Sequence, residues 1–200
     1  MTETPPVVGV RGRTRRAILD AAVTELSRRH DATLAVIAAA AGVGRSTLQR
    51  YFPDRELLIS AVVQDSLRRL DVALTEARIE EDPPLAALRR LVSAMVDVGD
   101  AVLFLYGDPR VTDAITVPEG PDPAADRIGA LIRRGQEAGV LDREVSAEWI
   151  EHVLWAGISA GCTAVGSGLL PRPGASASVI RTLENGVGTA PRPSREDDRG

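Results

Sequence analysis

The chain has 200 residues, of which 44% are apolar and 26% are charged, as is ordinary for a soluble globular protein. A single cysteine excludes an internal disulfide, and the N-terminal stretch lacks the apolar segment of a signal peptide, so we expect a cytoplasmic protein. The net charge is −4, but residues 1–60 hold nine arginines and six acids, whereas the remainder holds 15 basic and 22 acidic residues. This asymmetry suggests a nucleic-acid-binding module joined to a second domain.

The N-terminal third of the chain predicts an arm followed by three helices. Residues 1–13 contain prolines and glycines, and we expect them to form a flexible arm. Three apolar residues are spaced by four and predict a first helix from Thr14: Ile18, Ala22 and Leu26. Thr33 can cap a second helix, whose apolar residues recur at helical spacing: Leu34, Ile37, Ala38 and Ala41. Gly42-Val43-Gly44 breaks the pattern, and a third helix is expected to end near Tyr51.

The remaining sequence predicts five more helices. Asp54 can cap a fourth helix that ends near EEDPP, with a buried stripe of Leu58, Val62, Leu67, Leu70 and Leu74. Pro84 can start a fifth helix, which we expect to continue to Tyr106. Three further helices are expected from about Pro123 to Glu137, from Ser146 to Gly166, and over 175–185, followed by a disordered tail at 187–200. No segment alternates convincingly between apolar and polar residues, as a β-strand would. The predicted fold is therefore all-α, with a helix-turn-helix domain at 14–60 and a helical ligand-binding and dimerisation body at 61–186.

The segment around Gly42 meets the requirements of a helix-turn-helix. Ala38 is small where two helices cross, and Gly42 tolerates a positive φ in the turn. The second helix of the pair presents four polar side chains suited to base edges in the major groove: Arg45, Ser46, Gln49 and Arg50. Four other side chains are better placed for phosphates: Thr33, Thr47, Tyr51 and Arg55. A helical hairpin with solvated arginines is the alternative interpretation of this pattern taken alone.

Residues 14–63 resemble the N-terminal domain of the TetR/AcrR family of transcriptional regulators. Two stretches carry the resemblance: TRRAILDAAVTEL and ATLAVIAAAAGVGRSTLQRYFPDRELLISAV. The resemblance implies a homodimer on a double-stranded DNA operator, a three-helix DNA-binding domain, a long fourth helix and an effector-binding body. It also implies dimerisation through the last two major helices. The expected function is that of a repressor that an unknown small molecule releases from a palindromic operator.

Four positions depart from the pattern of that family. Gln49 stands where the family usually has Tyr, which removes an aromatic contact to the DNA backbone and leaves Gln49 to read a base. Arg55 replaces the usual Lys, Arg29 replaces a helix-ending Gly, and Gly44 replaces a capping Ser. The alternative function is therefore a helical ligand-binding or interaction protein of the same fold that has lost DNA binding.

The helical body contains candidates for a ligand pocket. Five residues supply shape and aromatic faces: Met95, Val102, Phe104, Tyr106 and Trp155. Trp149 is a further candidate. Glu148 and His152 share a helix face, but a surface or capped histidine is favoured over a ligand or metal site, because the clustering of ligands typical of a metal site is missing.

The stretch from Val153 to Leu170 carries no charge over eighteen residues, which is at the lower limit for a membrane span. Its glycines and hydroxyl residues favour a helix outside the membrane, and its Gly-x-x-x-Gly motif permits close helix packing. We expect this helix to contribute five residues to the dimer interface: Trp155, Gly157, Ile158, Gly161 and Cys162. A core helix within one chain is the alternative.

No catalytic site is expected. The two histidines and the one cysteine are widely separated and form no recognisable nucleophile and base pair. The sequence GVGRST follows a helix instead of a strand and lacks the lysine of a phosphate-binding loop. The sequence therefore predicts a regulator without enzyme activity, cofactor or metal.

Overall fold

The computed structural model describes residues 9–81, 83–107, 111 and 123–187. Within these residues the chain forms nine α-helices and no β-strand, which confirms the predicted all-α class. The helices are α1 Val10–Arg28, α2 Leu34–Ala40, α3 Arg45–Tyr51, α4 Arg55–Glu76, α5 Pro84–Asp97, α6 Gly99–Tyr106, α7 Pro123–Glu137, α8 Ala147–Gly166 and α9 Arg172–Gly186.

Helix α1 begins at Val10 instead of Thr14. The Arg13 amide donates to the Gly9 carbonyl at 3.1 Å, and the Thr14 hydroxyl donates to the Val10 carbonyl at 3.1 Å, so Thr14 lies inside the helix. Arginine has a high helix propensity, which favours extension through the basic segment. The predicted arm is therefore wrong for residues 10–13, whereas residues 1–8 lie outside the described part of the chain.

Helix α4 ends at Glu76, earlier than predicted, because the chain turns at Arg78, whose φ is +47°. The Arg90 guanidinium on α5 holds this turn by donating to the carbonyls of Ala77 and Arg78, each at 2.7 Å. At the other end, the Asp54 carboxylate caps the helix as predicted and accepts from the Leu57 amide at 2.8 Å.

The predicted helix from Pro84 to Tyr106 is divided in two at Val98, whose φ of −98° and ψ of 27° are not helical. The break lets α6 approach α8 closely, since a Cβ on Gly99 would lie 3.1 Å from the sulfur of Cys162. The predicted loop that follows, before Pro123, lies in residues that the structure does not describe.

The last helices follow the predictions more closely. Helices α7 and α8 have the predicted limits, and the Ser146 hydroxyl caps α8 by accepting from the Trp149 amide at 3.2 Å. Helix α9 begins at Arg172, before the predicted start. Val187, predicted to belong to the tail, is buried and accepts from the Asp142 amide at 3.0 Å, while residues 188–200 lie outside the described part. No helix in the described ranges is long and apolar enough to span a membrane.

The helices enclose two hydrophobic cores, and α4 and α6 contribute residues to both. Helices α1–α4 form the N-terminal core, which includes three residues of α6: Ala101, Phe104 and Leu105. Helices α4, α5, α7, α8 and α9 form the core of the body, which includes Val102 of α6. Helix α6 therefore packs simultaneously against the N-terminal domain and against the interior of the body.

Candidate nucleic-acid interface and ligand cavity

Helices α2 and α3 are joined by a turn that depends on Gly42. Its φ is +66°, a conformation that favours glycine, and a Cβ there would meet no atom within 4 Å. The Val43 amide donates to the Ala38 carbonyl at 3.0 Å and closes the turn. Thr33 caps α2 as predicted, since its hydroxyl accepts from the Val36 amide at 3.4 Å. The geometry is that of a helix-turn-helix, as the sequence predicts.

Helix α3 is anchored on one side and open on the other. Leu48 has no exposed surface and inserts into the N-terminal core. On the opposite face the predicted base-reading side chains are all exposed: Arg45, Ser46, Gln49 and Arg50. Among the described residues, the side chains of Arg45 and Gln49 have no hydrogen-bond or ion-pair partner, so their donors are available to a ligand. Thr47 and Tyr51 are half-buried beside them, and the Arg50 guanidinium lies 5.9 Å from the centre of the Tyr51 ring.

Arg55 makes contacts within the protein that the sequence did not predict. Its guanidinium donates to the Ala32 carbonyl at 2.5 Å and to the His30 carbonyl at 2.6 Å. The two terminal nitrogens of this guanidinium thus supply donors to two carbonyls in the connection between α1 and α2. Backbone carbonyls need such partners when they are buried. Arg55 ties the start of α4 to that connection, and its contact with a phosphate stays a prediction.

An ion network fastens α4 to α1 on the side of the N-terminal domain. Asp65 is only 7% exposed, and it accepts from Arg69 at 2.7 Å and from Arg16 of α1 at 3.2 Å. Arg69 also pairs with Asp20 of α1. Burial alone would raise the pKa of Asp65, but the hydrogen bond from Arg69 and the charges of Arg69, Arg16 and Arg68 outweigh burial and hold the pKa below its ordinary value.

A cavity of about 390 Å³ lies in the body between α4, α5, α6, α7 and α8. Four of the five predicted ligand residues meet in its wall: Met95, Val102, Tyr106 and Trp155. The rings of Tyr106 and Trp155 lie 5.8 Å apart between centroids and are inclined at 40°. The volume is within the range of small-molecule sites. The apolar and aromatic residues of α5, α6 and α8 therefore predicted much of the cavity wall.

Phe104 is wrongly predicted as a ligand residue. Its side chain has no exposed surface and belongs to the N-terminal core. It lies two positions from Val102 and Tyr106 on α6, so it faces α1 and α4 while they face the cavity. Helical spacing identified an apolar residue, but it could not tell which of two cores receives the side chain.

Helices α4 and α7 supply a part of the wall that was not predicted from the sequence. Leu67, Leu70 and Leu74 were predicted as a buried stripe, yet Leu67 is 38% exposed because all three line the cavity. Asp71 interrupts this stripe, and Glu151 lies one helical turn before Trp155 on α8; both carboxylates line the cavity. An acidic residue within an apolar stripe was the sequence signal that could have indicated this part of the cavity wall. Ala124, Ala125 and Ile128 of α7 complete that side.

The predicted dimer contacts on α8 also require correction. Ile158 has no exposed surface, Cys162 is 2% exposed, and Gly161 is buried, so none of them can contact a partner. A Cβ on Gly161 would lie 2.8 Å from Val179 of α9, and one on Gly157 would lie 3.3 Å from the same residue. The Gly-x-x-x-Gly motif therefore packs α8 against α9 within one chain, and Trp155 faces the cavity. Burial raises the pKa of the Cys162 thiol to about 11, which keeps it protonated and unreactive.

Trp149 does not line the cavity. It is 60% exposed, and its ring stacks on that of His152 at 6.5 Å between centroids. No group of three or more histidine, cysteine or acidic residues suited to a metal ion occurs within the described ranges. His152 is an exposed surface histidine, which is the interpretation that the sequence favoured.

Comparisons with known proteins agree with this architecture. The family model described as bacterial regulatory proteins, tetR family, matches residues 18–62. The HTH-type transcriptional repressor LfrR of Mycolicibacterium smegmatis is 37% identical over 184 residues, covering 92% of this chain and 95% of that protein. The crystal structure of LfrR superposes with a TM-score of 0.73 at 34% identity, covering 90% and 99% of the two chains. LfrR in complex with proflavine superposes with a TM-score of 0.65 over the same shares.

Proposed function

The chain belongs to the TetR family of bacterial transcriptional regulators, and we propose that it acts as a homodimeric repressor that a small molecule releases from a palindromic operator. Members of this family regulate transcription and are not enzymes. The proposal concerns the residues that bind DNA, the surface that forms the dimer and the route by which the cavity affects DNA binding.

The exposed face of α3 is proposed to enter the major groove. Arg45 and Gln49 carry donors without protein partners, and arginine and glutamine pair with the edges of guanine and adenine, respectively. Thr33 at the start of α2 is exposed and can donate to a phosphate while its oxygen caps the helix. Arg55 supports this face indirectly, because it fixes α4 to the connection that precedes α2.

The outer faces of α8 and α9 are proposed to form the dimer interface. Beyond Glu148 in its first turn, α8 exposes five uncharged side chains that are spaced by three and four over four turns: Trp149, His152, Ala156, Ala160 and Thr163. Across from them, Ala177, Ser178 and Thr182 are exposed on α9. From Ala156 onward the side chains of this α8 stripe are small as well as uncharged, which suits the close packing of two helix pairs. In the dimer, two α3 helices about 34–36 Å apart would reach successive major grooves.

The observation that carries the proposed mechanism is the double packing of α6. Val102 and Tyr106 line the cavity, whereas Ala101, Phe104 and Leu105 pack in the N-terminal core. A ligand that shifts α6 therefore shifts the surface on which α1 and α4 rest. A ligand that favours a different separation of the two α3 helices lowers DNA affinity by population shift.

A mobility-shift titration tests the proposal with a palindromic site from the promoter beside the gene. Gln49→Ala and Arg45→Ala are each expected to weaken binding of that site by about tenfold or more, the cost of one bidentate base contact. Arg133→Ala is the matched control, because Arg133 is exposed on α7, far along the chain from α3, and is expected to leave affinity unchanged. If the wild-type chain shows no preference for the site over unrelated DNA, the proposal fails and the ligand-binding alternative is favoured.

A further inference from the structure

Two carboxylates in the cavity wall are without partners. Asp71 on α4 and Glu151 on α8 both line the cavity. Within the described part of the chain, neither has a hydrogen bond or an ion pair. Glu151 is half-buried, whereas Asp71 is exposed. A half-buried carboxylate without a partner loses hydration that nothing in the protein replaces, so its place in an apolar wall favours a ligand that supplies the missing charge.

The described part of the cavity wall offers no positive charge in return. Among the described residues that line the cavity, none is an arginine or a histidine. Nearby arginines of the body are paired elsewhere, since Arg127 contacts Glu80 at 2.6 Å and Arg89 contacts Glu184 at 2.6 Å. The described wall therefore carries two negative charges without a cationic partner, and these repel an anionic ligand and attract a cation.

Aromatic faces lie next to one of these charges. Glu151 and Trp155 are four residues apart on α8 and share a helix face, and both line the cavity. The centroids of the Trp155 and Tyr106 rings lie 5.8 Å apart, so the two rings are in contact and form one aromatic part of the wall. The faces of tryptophan and tyrosine attract cations through the ring quadrupole, and they also stack on flat ligands.

We propose that this cavity binds a flat aromatic organic cation, with Glu151 as its main counter-charge, Asp71 as a weaker one, and Trp155 and Tyr106 as its stacking faces. The proposal rests on the proposed function, because it names the class of effector that the cavity senses. The volume of about 390 Å³ suits a molecule of two to four fused rings. The leucines and Met95 on the remaining wall suit an apolar frame and do not suit a hydrated metal ion.

Binding to the purified full-length protein tests the charge preference with three fluorescent probes of one shape. The probes are proflavine as the cation, 9-anthracenemethanol as the neutral molecule and 9-anthracenecarboxylate as the anion. The expected order of affinity is proflavine, then the alcohol, then the carboxylate. Glu151→Gln is expected to weaken proflavine binding by about tenfold, as for a lost charge-assisted contact, and to leave binding of the alcohol within about twofold.

Further variants separate charge from folding. Asp71→Asn is expected to weaken proflavine by only about twofold to threefold, because solvent screens its exposed carboxylate. Glu76→Gln removes the same charge from α4 outside the cavity and is expected to have no effect. If Glu151→Gln binds the alcohol as the wild type does, its cavity is intact. If Glu151→Gln binds none of the three probes and its melting curve is altered, the variant is misfolded, and Asp71→Asn then provides the test.

Two results would overturn the proposal: proflavine binding that Glu151→Gln and Asp71→Asn leave unchanged, or equal affinity for the anion and the cation. Because these titrations contain no DNA, they stand apart from the mobility-shift titration. If the protein binds its operator but has equal affinity for the cationic and anionic probes, this inference alone is refuted. If it prefers proflavine but binds no operator, the proposed repressor function alone is refuted.

Discussion

The hydroxyl of Thr24 on α1 donates a 2.6 Å hydrogen bond to the carboxylate of Asp100 on α6. The bond joins the N-terminal domain to the helix that also forms part of the cavity wall, and both partners are partly buried. It is a polar contact in an otherwise apolar junction between α1 and α6, so it fixes the position of one helix relative to the other. Such a bond contributes to stability, and in the proposed mechanism it would also couple the cavity to the DNA-binding helices.

Thr24→Val is expected to lower the free energy of unfolding by about 1–2 kcal/mol, because a partly buried carboxylate loses its donor. The same variant should reduce the factor by which a releasing ligand lowers operator affinity. Urea unfolding and operator titrations measure the two effects. Thr24→Ser keeps the hydroxyl and is the matched control; if it behaves like Thr24→Val, the effect comes from packing and not from the hydrogen bond.

Asp65→Asn is expected to destabilise the fold by about 1–3 kcal/mol at pH 7, because three arginines lose the negative charge that they share and one oxygen acceptor becomes a donor. The pKa of Asp65 is lowered in the fold, so its stabilisation is present above the unfolded pKa of about 3.9 and is lost as the pH falls through the folded value. Unfolding by urea at a series of pH values should therefore show the two proteins converging below about pH 4. Asp71→Asn, an exposed and unpaired position on the same helix, should not change stability at any of these pH values.

Gly42→Ala is expected to cost about 1–2 kcal/mol, because an alanine at φ +66° is strained although its Cβ meets no atom. Thermal unfolding followed by circular dichroism measures the change. Gly44→Ala tests the explanation, since Gly44 has φ −69° and its nearest contact would be 3.9 Å away. An equal loss at both positions would show that left-handed backbone is not the cause.

Ala160→Glu is expected to dissociate the dimer while the subunit stays folded, because it places a charge in the uncharged exposed stripe of α8. Sedimentation velocity measures the oligomeric state. Ala138→Glu, exposed beyond the end of α7, is the control that should remain dimeric. Gly161→Ala should instead destabilise the subunit, because its Cβ would lie 2.8 Å from Val179. A monomeric wild-type chain, or a dimeric Ala160→Glu variant, would contradict the proposed interface.

Local signals predicted the fold well. The side chains of Thr33, Asp54 and Ser146 cap α2, α4 and α8 as expected, since a cap depends on residues three positions apart. The helix-turn-helix was predictable for the same reason, because Gly42 and the apolar residues beside it lie within one short segment.

Long-range packing decided the features that the sequence could not predict. The direction in which Phe104 points depends on helices that are distant in sequence, and so does the partner of Arg55. Gly157 and Gly161 indicated a close helix contact correctly, but only the position of Val179 shows that the contact lies within the chain. The same limit applies to Asp71 and Glu151, which are 80 positions apart and meet only at the cavity.

The affinity ratio between two DNA duplexes tests the central claim most directly. The palindromic site is selected from random duplexes with the wild-type protein, and binding is followed by fluorescence anisotropy in about 150 mM salt, where non-specific contacts are screened. We predict that two chains bind this duplex about a thousandfold more tightly than a duplex of the same composition in scrambled order. Equal affinity for the two duplexes would contradict the account.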